Sequence, residues 1–262
     1  HFSKEVYRRL AMQNTSAIDY MFSWHGNADL IVAIIKLFED LKNSEHDITQ
    51  VGVQAILLVE DNVRYYSTYL PELYKMILKQ SAEFLKETLN EQQRKFMKRS
   101  RPKILLATNL DDAMAMYEKY KSNLLGVISD VGFTVHKDEG ADKEKMDAGI
   151  DLVKHIRKDD PMMPILLQSS QESYAAVAEE LNVGFLRKYS KTLMIQLYEF
   201  IKEEFAFGDF IFRNPDRTEF GRAANLKELE MLMRAVPDEV LLGATSKNML
   251  SKWFMARGLF TL

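Results

Sequence analysis

Ala55-Ile-Leu-Leu-Val-Glu-Asp61 is a run of five apolar residues closed by two acids. A run this short and wholly apolar reads as a strand buried on both faces, the signature of a parallel sheet. The pattern recurs in Leu124-Leu-Gly-Val-Ile128, closed by Asp130, and in Val183-Gly-Phe-Leu186, followed by Lys188. If the three strands lie side by side, Glu60, Asp61, Asp130 and Lys188 meet at their C-terminal ends. Open α/β sheets bind ligands in that crevice, where the strand order reverses. Clustered carboxylate oxygens suit a hard divalent cation such as Mg2+, and a lysine beside them can neutralise a phosphoryl group.

Working outward, strands are expected at 54–59, 103–107, 124–129, 163–168 and 184–187. Helices are expected after 61 and at 110–121, 147–158, 172–181 and 191–204. Alternating strands and helices imply a parallel sheet covered on both faces. Two stretches exceed what such a sheet needs. Residues 62–101 carry apolar positions at helical spacing (Leu70, Leu73, Ile77, Phe84, Leu85, Leu89, Phe96), with Pro71 tolerable only at a kink or a first turn. A continuous helix over 71–99 would be about 43 Å long and is a candidate for homodimer pairing. The charged stretch from Thr134 to Asp147 reads as a mobile loop at the mouth of the crevice.

The 262 residues, 47% hydrophobic and 28% charged, describe an ordinary globular chain. A formal charge of -3 gives no electrostatic case for nucleic acid or an anionic membrane. The lack of cysteine excludes disulfides, thiolate metal sites and cysteine nucleophiles, and fits a cytoplasmic setting. No apolar stretch approaches the roughly 20 residues that span a bilayer.

The ordered motifs Ile56-Leu-Leu-Val-Glu-Asp-Asn62, Val127-Ile-Ser-Asp130, Gly149-Ile-Asp-Leu-Val-Lys-His-Ile-Arg157, Pro164-Ile-Leu-Leu-Gln-Ser-Ser170 and Gly184-Phe-Leu-Arg-Lys188 resemble the response-regulator receiver domains of two-component signalling. The resemblance covers about residues 53–204. It implies a flavodoxin-like, doubly wound five-stranded sheet of order 2-1-3-4-5 with an extended first helix. It further implies that Asp130 takes a phosphoryl group from a sensor histidine kinase or phosphotransfer protein, and that Mg2+ is held by Glu60, Asp61, Asp130 and the Gly132 carbonyl. Ser169 and Lys188 would contact the phosphoryl group, and Phe185 stands at the family's aromatic switch position. Such a module is not an enzyme beyond its own phosphorylation and dephosphorylation. The sequence departs from the family in Tyr189, where proline is usual, in the charged insertion and in the long first helix.

Residues 1–50 read as helix (Lys4–Met12), strand (Tyr20-Met-Phe22) and helix (after Asn27), then a linker at 43–50. They resemble the last third of a degenerate receiver, with Ser23 and Trp24 in the places of lysine and proline. The resemblance implies a receiver unit over residues 51–205. Residues 206–262 read as a short strand, a turn and two helices (about 225–235 and 246–257), similar to the linker before a pyruvate-phosphate-dikinase-like domain. Both ends read as cut, so a fragment of a longer protein is expected.

Two rival functions remain on the residues. Asp130-Val-Gly-Phe-Thr134 partly matches the nucleophile strand of haloacid-dehalogenase-type phosphatases, but Gly132 replaces their second aspartate and the acidic pair precedes the nucleophile. A pseudo-receiver would keep the fold as a docking module without phosphorylation. The helical stripe of 71–99 predicts concentration-dependent self-association, and sedimentation showing a monomer at high concentration would remove the pairing idea.

Overall fold

The computed structural model describes residues 18–24, 26–84, 100–137, 143–216, 218–246 and 248–259. Its elements are α1 (Asp29–Thr49), β1 (Ala55–Val59), α2 (Val63–Phe84), β2 (Lys103–Ala107), α3 (Leu110–Tyr120), β3 (Leu124–Asp130), α4 (Ala148–Asp159), β4 (Ile165–Ser169), α5 (Tyr174–Glu180), β5 (Gly184–Arg187) and α6 (Leu193–Glu204). A hairpin of β6 (Phe210–Arg213) and β7 (Glu219–Ala223) leads to α7 (Leu226–Met233), α8 (Asp238–Ser246) and α9 (Met249–Ala256).

Strands β1 to β5 form one parallel sheet in the order β2-β1-β3-β4-β5. This is the doubly wound, flavodoxin-like order, with its switch point between β1 and β3. Side chains alternate between the faces, as the pleat requires. Ile56 and Leu58 join the core beneath α1, α2 and α6. Ala55, Leu57 and Val59 join the core beneath α3, α4 and α5. Each of the Val, Leu and Ile side chains among them contributes roughly 1.5–3 kcal/mol on full burial. On β3, Gly126 leaves room for an aromatic ring: a Cβ there would lie 2.0 Å from Phe205. Helix α3 starts where Asn109 caps it, its side chain accepting from Asp112 N at 2.8 Å. The hairpin and α7–α9 enclose a third core around Trp253, whose Nε1 donates to Gly208 O at 3.0 Å.

Several expectations need correction. The polar stretch 43–50 is not a linker, because α1 continues to Thr49. Ser44 and Ile48 extend the buried stripe of Leu37 and Asp40 at helical spacing, so packing overrides the polar composition. Tyr20-Met-Phe22 is not a strand. Side chains anchor it instead: Tyr20 OH donates to Leu106 O at 2.8 Å, Tyr66 OH donates to Met21 O, and Ser67 Oγ accepts from Ser23 N at 3.0 Å. Of the two places open to Pro71, a kink or a first turn, the first turn is excluded, because Pro71 lies buried well inside α2. After residue 206 the sequence reading missed β7 and α8. β7 reads Glu-Phe-Gly-Arg-Ala and is mostly exposed, so it lacks an apolar signature. The helix expected over Lys4–Met12 and the 85–99 part of the long helix lie outside the described residues.

α1 is tied to the sheet by a buried charge cluster. Asp40 is fully buried and accepts from Arg101 Nη2 at 2.8 Å, Tyr74 OH at 2.9 Å and Ile104 N at 3.0 Å. Lys103 Nζ lies 3.7 Å from Asp40 and 2.6 Å from Asp47. Removing one member of such a cluster leaves the others charged and unpaired. Asp40→Asn is therefore expected to lower unfolding stability by about 3–5 kcal/mol, read as a drop in the urea midpoint.

Candidate functional site

The site forms because β1 and β3 are neighbours that both end at the same edge. Glu60 follows the last residue of β1, and its amide still donates to Ala107 O of β2 at 3.0 Å. Asp61 comes next, and Asp130 is the last residue of β3. One carboxylate oxygen from each of Glu60, Asp61 and Asp130 lies within 4.8 Å of the other two. Lys188 follows β5, where its amide donates to Ser169 O at 2.9 Å. From there its side chain reaches across to the acids. Nζ donates to Asp130 Oδ2 and stands 2.7 Å from Glu60 Oε2. Asp130 Oδ1 accepts from Val131 N at 2.7 Å.

The electrostatics follow from burial. Glu60 is 1% exposed, and desolvation raises its carboxyl well above the usual range. The Asp130 charge adds to that rise and Lys188 opposes it. Asp61 is pushed up to about 7, first by burial and then by Asp130 and Glu144. Burial also raises Asp130, against the pull of Lys188. For Lys188 burial works the other way, but Glu60 and Asp130 outweigh it and hold the ammonium charged. One lysine therefore faces three carboxylates.

These residues fit a divalent cation. Glu60 Oε2 is buried and makes no hydrogen bond, although it meets the ion-pair distance to Lys188, so it keeps lone-pair capacity. A hard cation would relieve the raised carboxyls by replacing their protons. Gly132 sits beside Asp130, and its backbone amide helps to hold that carboxylate ionised.

The remaining expected residues are placed less centrally. Ser169 ends β4, buried, with Oγ accepting from Gln171 N at 3.2 Å, while the neighbouring Ser170 is exposed. Phe185 is half-buried on β5 and packs on the core beneath α3–α5. The ends of the charged loop are pinned: Phe133 and Lys145 exchange backbone hydrogen bonds at 3.2 and 3.0 Å. Residues 138–142 of that loop lie outside the described residues.

Two neighbours were missed from sequence. The Tyr65 ring lies 4.2 Å from Lys188 Nζ and packs edge-on to Tyr189 with centroids 6.2 Å apart. This aromatic contact adds a cation–π restraint on the lysine, and Tyr189 packs against the Tyr65 ring. Glu144 reaches Gly132 from the insertion. Nothing local in sequence marks it among its charged neighbours. Gly149 lets α4 approach the site, since a Cβ there would lie 2.2 Å from Asp130 O.

No family model matches the chain, and no curated protein matches it. Among solved structures it is similar to a response regulator receiver domain protein from Clostridium thermocellum, at 15% identity and TM-score 0.37, covering 58% of this chain and 94% of that one. It is also similar to the chemotaxis response regulator CheY4 of Vibrio cholerae, at 17% identity and TM-score 0.33, covering 56% and 98%. A response regulator receiver protein from Sinorhizobium medicae matches at 16% identity and TM-score 0.34, covering 59% and 96%. Scores this low carry no functional argument, so function rests on the geometry of the site itself. No helix among the described residues is long and apolar enough to cross a membrane.

The raised carboxyls make a stability prediction. The unfolded chain loses the Asp61 proton near pH 3.9, whereas the fold keeps it to about 7. Between those values the native state binds more protons, so stability falls as pH rises. In chelator-treated buffer Asp61→Asn is expected to be more stable than the native chain by on the order of 1–3 kcal/mol above about pH 7.5, with the gain vanishing near pH 4. Denaturant titrations at the two pH values read the difference.

Proposed function

We propose that this chain carries a phosphoacceptor receiver module of a bacterial two-component system, with Asp130 as the acceptor. The observation that supports it most is the convergence of Glu60, Asp61 and Asp130 within 4.8 Å, with Lys188 reaching Asp130. An isolated structural cluster would balance its charges, whereas this one keeps an excess of acid at the crevice where such sheets bind ligands.

In this reading Asp130 attacks the phosphorus of a phosphohistidine on a sensor histidine kinase or phosphotransfer protein. A carboxylate O–P bond forms, the P–N bond breaks, and the imidazole leaves with a proton. Catalysis is mostly positioning and charge neutralisation. Glu60, Asp61, Asp130 and the Gly132 carbonyl would hold Mg2+, which when bound screens the repulsion between carboxylate and phosphoryl group. Lys188 transfers its ammonium contact from the Asp130 carboxylate to a phosphoryl oxygen. Tyr65 keeps that ammonium over the site during the transfer. The Ser169 hydroxyl donates to a second phosphoryl oxygen. Its movement vacates space for the Phe185 ring, a two-state element that phosphate biases. The change is relayed to attached domains.

Acetyl phosphate or another small phosphodonor with Mg2+ is expected to add a labile phosphate to Asp130, and Asp130→Asn to abolish it, as read by mass spectrometry. Lys188→Ala should leave the fold intact and slow the modification by on the order of 100-fold. An unchanged rate would remove Lys188 from its role. A flat calorimetric titration with beryllofluoride and Mg2+ would instead favour a pseudo-receiver that docks partners without phosphorylation.

A further inference from the structure

The charged insertion does more than border the crevice. Phe133 and Lys145 are paired as an antiparallel bridge, which fixes the backbone one residue from Glu144. Lys145 is also held by Asp151 of α4. From that anchored position the Glu144 side chain turns back over Gly132. Its Oε1 lies 2.7 Å from where a Cβ on Gly132 would stand, so the carboxylate fills the space that a side chain would take. Glu144 acts electrostatically on Asp61, and Asp130 and Lys188 act on Glu144. It stands outside the group of three whose oxygens lie within 4.8 Å of one another. Within that group Glu60 Oε2 is buried, with the Lys188 ion pair at 2.7 Å in place of a hydrogen bond.

We infer that Glu144 is an outer carboxylate of the Glu60–Asp61–Asp130 cation site, so that the insertion helps to set how tightly this chain holds a divalent ion. The inference rests on reading that group as a cation site. Magnesium sheds its waters reluctantly and keeps several when bound. A carboxylate too distant to touch the ion can accept hydrogen bonds from those waters and add attraction through its charge. Outer partners of this kind commonly matter by 10- to 100-fold in metal affinity. Glu144 is exposed, which places it at the low end because water and salt screen it.

The test is calorimetric titration of the whole chain with MgCl2 and MnCl2, without any phosphodonor. Glu144→Gln is expected to weaken binding of both ions by about 3- to 10-fold, with an unchanged melting curve. Asp147→Asn, an equally charged change at an exposed acid of the same loop (60% side-chain exposure), is expected to leave the affinity unchanged. Equal affinity in Glu144→Gln and the native chain would overturn the inference while leaving the cation site standing. An equal loss in Asp147→Asn would overturn it too, by reducing Glu144 to general surface charge. If the native chain bound neither ion, the cation site and the inference would fall together.

Discussion

Three carboxylates held against one ammonium at the end of a buried sheet are the constraint around which this molecule is arranged. Glu60 is 1% exposed and Asp130 lies one strand away, so their repulsion cannot be dissipated by water. Isolated charges in such a place would protonate or separate. They do neither completely, because the strand ladder fixes the backbone and Lys188 bridges two of them. The cost of this arrangement is carried by the apolar cores on the two faces of the sheet.

The opposite end of the same sheet makes an instructive contrast. There Asp40, Asp47 and the more exposed Glu39 meet Arg101 and Lys103, and every Asp40 oxygen has a donor. That cluster pins α1 to α2 and β2, and its charges are satisfied within the chain. At the C-terminal end three carboxylates share one lysine, and the buried Glu60 Oε2 has the Lys188 ion pair at 2.7 Å in place of a hydrogen bond. Two buried polar clusters in one fold thus differ in kind: one is spanned by hydrogen bonds that hold elements together, and the other gathers three carboxylates around a single lysine.

The core of the site was legible because its residues sit at the ends of apolar runs. Glu60, Asp61 and Asp130 stand at the ends of the buried strands β1 and β3, whereas Lys188 follows the edge strand β5, which is less buried than expected; parallel strands deliver their C-terminal ends to one edge. Boundaries inside the sheet region were also close, with β2 expected and found at 103–107. Legibility failed where contacts are distant or signals polar. Glu144 is one charge among several in sequence and acquires a role only because the Phe133–Lys145 bridge turns it over Gly132. The 43–49 stretch looked like a linker because its polar residues outnumber the two, Ser44 and Ile48, that continue the buried stripe of α1. Tyr20-Met-Phe22 has strand composition, yet its partners are the side chains of Tyr66 and Ser67 and the carbonyl of Leu106, not a neighbouring strand.

By itself the sequence determined the alternation of strands and helices, the parallel sheet and the identity of the acids and the lysine at its edge. Hydrophobic periodicity and abrupt charge at a strand end are local properties, written in consecutive residues. The tertiary structure alone decided that Tyr65 restrains Lys188, that α1 is clamped through Asp40 and that Glu144 joins the crevice. Each of those depends on residues far apart in the chain being brought within a few ångströms, and the free energy of that approach comes from the packing of the whole core, which no single stretch of sequence contains.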